Sequence, residues 1–255
     1  MLYLKKSLGQ HFLKDETVQR KIAEAIGDMS AYARVIEIGP GMGALTKHLT
    51  KGKPKNLWLV ELDDRWAAYQ KETNAWMADR IIHKDFLKVD LSDILEFPTH
   101  IVGNFPYNIS SQIIFTVIDH RDKVMGLTGM FQKEVGLRIA AKPGTKDYGV
   151  PSILTQAYYN VEYLFDVQPE SFDPPPKVMS GVIRLTRKTE SMHCDEKLFK
   201  RIVKQAFTQR RKTMRNSLKD ILSQKNISDN RIFDKRPEQL TLQEFEDLTN
   251  LIANS

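Results

Sequence analysis

Over most of its length the chain alternates short apolar runs with segments of helical period, and near its end only the helical period remains. Asp15 to Met29 reads as an amphipathic helix with Val18, Ile22, Ala25 and Ile26 on one side. Arg34 to Gly39 is a predicted strand, and the turn at Gly39–Gly43 opens a helix through Leu49. Leu57 to Leu62 gives a second strand, followed by a helix containing Trp66, Tyr69, Gln70 and Trp76. Arg80 to Asp85 and His100 to Asn104 are the third and fourth strands. A helix over Ile109 to Asp119 follows, with Ser110 or Ser111 placed to cap its start.

Val124 to Phe131 fits a fifth strand despite two glycines, and Glu134 to Ala141 and Pro151 to Tyr158 read as helices. Val161 to Val167 and Val178 to Leu185 are late strands on either side of Ser171-Phe172-Asp173-Pro174-Pro175-Pro176, whose prolines exclude helix and central strand. Repeated βα units ending in strands imply an α/β fold, a mostly parallel Rossmann-like sheet closed by an antiparallel hairpin. Asp195 to Gln209, Thr213 to Ser223 and Thr241 to Ala253 then form an all-α ending. The expected domains are therefore 1–188 and 189–255.

With 255 residues and 41% hydrophobic content, the chain can bury one large core or two unequal ones. The formal charge of +6 points to an anionic partner. Lys197 to Lys219 holds nine Lys or Arg and no Asp or Glu, whereas a merely solvated helix face mixes signs, so nucleic-acid contact is favoured there. Cys194 is the single cysteine, which excludes an intramolecular disulfide and a thiolate metal cage. No apolar run approaches the roughly 20 residues of a membrane span, and the N-terminus lacks a secretory signal's apolar stretch. A cytoplasmic protein with no membrane partner is expected.

Two motifs carry the chemistry. In Glu37-Ile38-Gly39-Pro40-Gly41-Met42-Gly43, glycines follow a strand and allow a tight turn with close backbone approach to a ligand. Glu61 ends the next strand at about the 20-residue spacing of a ribose-binding carboxylate, although an acid there also caps helices. Asp85 ends the third strand, where it either meets an adenine amino group or caps the next segment. Nicotinamide and adenosine cofactors use the same crevice, so these residues alone do not separate them.

Asn104-Phe105-Pro106-Tyr107 separates them. An aryl amine is a poor nucleophile because its lone pair is delocalised into the ring. The Asn104 side-chain oxygen and the Phe105 carbonyl can hold its two hydrogens and favour a tetrahedral nitrogen. Pro106 stiffens the turn, and Tyr107 offers a stacking face for a flipped base. The pair of motifs points to methyl transfer from S-adenosylmethionine (SAM) to an exocyclic base nitrogen. No metal is expected at the chemical step, since alkyl transfer from a sulfonium needs no Lewis acid.

With these motifs in order, the chain resembles the KsgA-like ribosomal RNA adenine dimethyltransferases over nearly its whole length. Lys6–Leu13, Gly39–Thr46, Val102–Ser110, Phe131–Val135, Phe172–Val178 and Ala206–Thr213 carry the resemblance. It implies a class I SAM methyltransferase that dimethylates two adjacent adenosines near the 3′ end of small-subunit rRNA in an assembling ribosomal subunit. It also implies a small helical RNA-positioning domain. His11, Leu13, Gly39, Gly41, Glu61, Asp85 and Asn104 would contact the cofactor, with Tyr107 and Phe172 as aromatic walls of the base pocket.

Arg210, Arg211, Lys212 and Arg215 are the candidate RNA contacts, and Arg211 and Arg215 share a face if their helix is continuous. The Lys5-Lys6 pair and the Lys142–Tyr148 loop are either solvated surface or RNA contacts. His11 stands where many relatives have asparagine and Phe105 where leucine is usual. The rivals are a large-subunit resistance methyltransferase and a non-catalytic nucleic-acid-binding factor on the same fold. No distinct partner surface is visible, so a monomer is expected.

Overall fold

A computed structural model describes residues 11–223 and 230–255 of the chain; the Lys5-Lys6 pair and the first part of the Lys6–Leu13 segment lie outside them. The chain divides into two compact units. One comprises the described part of Met1–Gly136 with Val161–Arg187, the other Leu137–Asn160 with Lys188–Ser255.

The first unit begins with β1 (Phe12–Leu13) and α1 (Glu16–Glu24), whose N-cap Asp15 accepts the N–H groups of Thr17 and Val18. The helix stops before the expected Met29 because Gly27, at φ 79°, takes the left-handed conformation that ends helices. In order come β2 (Arg34–Ile38), α2 (Thr46–Leu49), β3 (Leu57–Glu61), α3 (Asp64–Thr73), β4 (Ile81–His83), β5 (Thr99–Asn104), α4 (Ser110–Asp119) and β6 (Val124–Gln132). Then follow α5 (Lys133–Ile139), α6 (Val150–Tyr158), β7 (Tyr159–Val167), β8 (Phe172–Asp173) and β9 (Ser180–Arg187).

The seven-stranded sheet has the order β4-β3-β2-β5-β6-β9-β7. Pairing is parallel from β4 to β6, and β9 joins β6 antiparallel. From β2 the chain winds outward through β3 and β4, then returns to add β5 on the other side of β2. That reversal opens a crevice above the carboxyl ends of β2 and β5, where open α/β sheets bind ligands. The late strands are sheet neighbours, as a closing hairpin requires.

The two glycines of β6 make room for rings. A Cβ on Gly126 would lie 2.7 Å from His100 Nδ1, and one on Gly129 only 2.1 Å from Phe105 Cε2. Neither serine caps α4: Ser110 instead donates its hydroxyl to the Pro106 carbonyl at 3.1 Å.

The second unit is built around α7 (Glu196–Thr208), whose Phe199, Ile202, Val203 and Ala206 are buried. Two short helices, α8 (Met214–Ser217) and α9 (Lys219–Leu222), and the longer α10 (Leu242–Ala253) follow. The domain boundary expected at residue 188 needs one correction: α6 and the loop before it belong to this unit, although they precede β7 in the chain. Tyr148 is the reason. It is buried with its ring 6.4 Å from Phe207, which stacks on Phe245, and Gly144 N–H donates to Glu238 O at 2.7 Å. Burial also pushes the Cys194 thiol up to about 11, so it stays protonated and unreactive.

Candidate active site

A cleft of about 610 Å³ lies over the carboxyl ends of the parallel strands. Its lining includes His11, Leu13, Gly39, Gly41, Glu61, Asp85 and the whole Asn104–Tyr107 tetrapeptide. The turn after β2 carries Gly39 and Gly41 at φ 66° and 52°, a region that costs most other residues strain. Glu61 ends β3 with 5% of its surface exposed. Its Oε2 accepts Gly41 N–H at 3.0 Å and its Oε1 accepts Asp63 N–H at 2.9 Å. Each oxygen keeps a further lone pair for a ligand hydroxyl. Asp63, not Glu61, caps α3. Burial raises the Glu61 carboxyl above its ordinary range, and the backbone N–H groups of Asp63, Gly41 and Leu62 oppose that shift. Asp85 accepts Leu87 N–H at 3.0 Å while lining the cleft, so its local capping contact and its place at the cleft coexist.

At the end of β5, Asn104 Nδ2 donates to the His11 carbonyl at 3.2 Å. A carbonyl can only accept, which fixes the amide orientation and turns Oδ1 away from His11. Oδ1 accepts no hydrogen bond from the described residues, and neither does the Phe105 carbonyl. The next carbonyl, Pro106 O, is engaged twice, by Ile109 N–H at 3.2 Å and Ser110 Oγ at 3.1 Å. Two unengaged acceptors thus stand next to each other in sequence at the cleft wall. Tyr107 is anchored by its hydroxyl, 2.7 Å from Ser180 Oγ, and burial raises its ionisation above the usual range.

The N-terminal strand closes this side. β1 pairs antiparallel with β8, Phe12 opposite Asp173 and Leu13 opposite Phe172. The His11 ring lies 5.8 Å from that of Tyr107 at 29°, and its Nδ1 meets Pro174 O at 2.9 Å. Phe172, expected as a wall of the base pocket, is not brought to the cleft. It is 1% exposed and packs in the core cluster with Leu13 and Ile22. Its register opposite Leu13 turns it inward, where it anchors β8 beneath the N-terminal strand.

The likeness to known proteins agrees with this geometry. The chain matches the family described as ribosomal RNA adenine dimethylase over residues 1–253. The chain belongs to this family. It is 49% identical over 250 residues to ribosomal RNA small subunit methyltransferase A of Cytophaga hutchinsonii, covering 98% of this chain and 97% of that one. The protein of the same name from Bacteroides fragilis is 51% identical over 254 residues, covering 98% and 93%. Among solved structures, a dimethyladenosine transferase from Plasmodium falciparum superposes with a TM-score of 0.80 at 25% identity, covering 96% of this chain and 98% of that one. The 23S rRNA methyltransferase ErmE shares the fold, with a TM-score of 0.67 at 24% identity over 94% and 99% of the two chains.

As a member of the rRNA adenine dimethylase family, the protein is a SAM-dependent methyltransferase. The residues present fit that cofactor. A buried carboxylate with lone pairs to spare suits a ribose diol, and the apolar Leu62, Phe86 and Leu87 beside it suit a purine. The cleft volume lies in the usual range for ligands of that size.

Sequence reasoning assigned no role to Glu37, which lines the same cleft at 2% exposure and accepts Thr46 Oγ1 at 2.7 Å. The available signal was an acid inside an otherwise apolar strand. Burial, with Glu61 nearby, pushes its carboxyl up to about 8. The folded protein then holds a proton that the unfolded chain releases above pH 4.5, so stability falls as pH rises from about 4.5 to about 8. The effect is on the order of 5 kcal/mol. Glu37→Gln should therefore raise the melting temperature at pH 8.5 and leave it nearly unchanged at pH 4.5. Parallel melting-temperature profiles for variant and wild type would defeat this assignment.

The candidate RNA contacts fare unequally. Arg210 donates to Thr145 O at 3.1 Å, and Arg215 pairs with Asp234 at 3.2 Å while lying over the Phe233 ring. Those two have structural employment. Arg211 and Lys212 are exposed. Arg211 and Arg215 do not share a helix face, because α7 ends at Thr208 and α8 starts at Met214. Lys197, Lys200, Arg201 and Lys204 instead line one shallow groove on α7. Among the described residues, no helix is long and apolar enough to cross a membrane.

Proposed function

We propose that the protein dimethylates N6 of two adjacent adenosines in the 3′-terminal hairpin of small-subunit rRNA, acting on an assembling ribosomal subunit as a cytoplasmic monomer. The observation that carries this reading is the pair of unengaged acceptors, Asn104 Oδ1 and Phe105 O, beside the anchored Tyr107 ring and above the Glu61 cleft. The cofactor supplies an electrophilic methyl group on a sulfonium. Asn104 Oδ1 and Phe105 O accept the two hydrogens of the adenine amino group, localise its lone pair and aim it toward the cleft. Tyr107 holds the flipped base by its face, with its hydroxyl pinned on Ser180 so the ring does not rotate away.

The protein supplies position rather than a strong base, because an alkylated aryl ammonium is acidic and sheds its proton to water. For the second transfer one amino hydrogen is replaced by methyl, so a single acceptor suffices to hold the nitrogen. Lys197, Lys200, Arg201 and Lys204, with Arg211 and Lys212, would meet phosphates and fix the RNA's register, while unpaired bases carry the specificity.

The test is methyl incorporation from labelled SAM into undermethylated small subunits, with large subunits alongside and products resolved as nucleosides. Dimethyladenosine confined to the small subunit is the expected result. Label only in the large subunit would assign the protein to the other substrate, and no label in either would leave a binding role.

A further inference from the structure

The cofactor turn is held from the side by a helix that no cofactor contact explains. Gly41 sits at the centre of the turn, and both ends of its backbone unit are engaged. Its N–H donates to Glu61 Oε2 at 3.0 Å, and its carbonyl accepts Gln70 Nε2 from α3 at 2.8 Å. Gln70 is 1% exposed, so that donor has left water entirely. Its own Oε1 accepts Asn74 Nδ2 at 2.8 Å, which sets the amide so that NH2 faces the turn. The neighbouring Gly43 leaves space for it, since a Cβ there would stand 3.0 Å from Gln70 Nε2.

One turn earlier on α3, Trp66 packs edge-on against Phe12 at 5.3 Å. Phe12 in turn leans on Gly41, 3.3 Å from where a Cβ would sit. Trp66 and Gln70 are four residues apart on one face of α3, and Asn74 follows as the residue that caps its C-terminal end. That face therefore grips both the glycine turn and the N-terminal strand that borders the cleft.

We propose that Gln70 is a positioning residue for cofactor binding: held by Asn74, its amide clamps the Gly41 carbonyl and keeps the turn in its binding conformation. The inference rests on the cleft being the SAM site. Without the clamp, the half-buried Gly41 carbonyl loses its partner and the peptide is free to rotate, which also disturbs the Glu61–Gly41 bond. Gln70→Leu keeps the volume and removes the donor. Gln70→Glu keeps the shape and the acceptor for Asn74, and it can donate to Gly41 O only when protonated.

The experiment measures the dissociation constant of S-adenosylhomocysteine by calorimetry at pH 6 and pH 8, with rRNA affinity and melting temperature alongside. Glu61→Ala serves as the marker of the cleft itself. Gln70→Leu should bind S-adenosylhomocysteine about tenfold more weakly at both pH values and bind rRNA within about twofold of wild type. The defect of Gln70→Glu in S-adenosylhomocysteine affinity relative to wild type should be larger at pH 8 than at pH 6, while its rRNA affinity stays within about twofold, a split that a general loss of structure would not produce. Wild-type affinity in Gln70→Leu, or a Gln70→Glu defect that ignores pH, overturns the clamp. If Glu61→Ala binds weakly while Gln70→Leu does not, only the clamp falls. Unchanged binding in both removes the cleft assignment as well.

Discussion

Asn104→Ala should lower the methyl-transfer rate by about 10³-fold or more while the protein stays folded. The truncation removes the Oδ1 acceptor and also the Nδ2 bond to the His11 carbonyl, so two functions fall together. Asn104→Asp separates them. It retains an acceptor for the amino group but sets a carboxylate against the His11 carbonyl, loosening the N-terminal strand where it borders the cleft. Its principal defect should be a raised KM for SAM, whereas Asn104→Ala should lose kcat as well.

Tyr107 gives the companion result. Tyr107→Phe loses only the bond to Ser180, which costs roughly 1 kcal/mol of stability and leaves the stacking face. Tyr107→Ala loses the face, worth about 1–3 kcal/mol per stacked base. Single-turnover rates with undermethylated small subunits, alongside melting curves, decide the matter. Near-wild-type turnover by folded Asn104→Ala would remove the tetrapeptide from the chemistry.

The parts of the site that could be read from the sequence are those whose chemistry is local. A glycine turn after a strand, an acid at the end of the next strand and an Asn-Phe-Pro-Tyr run each depend on neighbours in the chain, and all of them line one cleft. What sequence could not supply depends on register across distance. Phe172 faces the core because β8 pairs with β1 far away in the chain, Leu13 opposite Phe172. A shift of one residue would have turned it outward.

Residues 137–160, most of which precede β7, fold with the C-terminal helices, since Tyr148 finds an apolar partner in Phe207, which in turn stacks on Phe245. The charge run beyond Lys197 was legible as a run, but the break between Thr208 and Met214 decides which cations share a surface. Gln70 is a polar residue on an amphipathic helix, and only the fold reveals its partner to be Gly41 O.

Gly129→Ala should be the most damaging single methyl added to the sheet. Gly103 and Gly129 are register partners in β5 and β6, and the Phe105 ring lies against both. It is also 4.9 Å from the Phe131 ring and 1% exposed. A Cβ on Gly129 would meet Phe105 Cε2 at 2.1 Å and Gly103 O at 2.8 Å, and the aromatic ring has no free volume to yield. Overpacking of this kind costs about 3 kcal/mol or more. Phe105 lies between Asn104 and Pro106, so a ring driven from its slot displaces Asn104 Oδ1 and the Phe105 carbonyl together. A misplacement near 1 Å can cost about 10²-fold in rate.

This packing also accounts for phenylalanine at position 105 where leucine is usual: the bulk lies in the sheet, and only the backbone carbonyl is offered to the base. Phe105→Leu alone should cost about 1 kcal/mol with little loss of rate. Combined with Gly129→Ala, it should restore most of the stability and much of the activity, giving a coupling energy of about 1–3 kcal/mol. Part of the penalty persists in the double variant, because the contact with Gly103 O does not involve the ring. The four proteins of this cycle need melting temperatures and single-turnover rates. Additive effects would mean that the ring and the Gly129 position act independently, and the slot would then have no bearing on how the Asn104–Tyr107 turn is held.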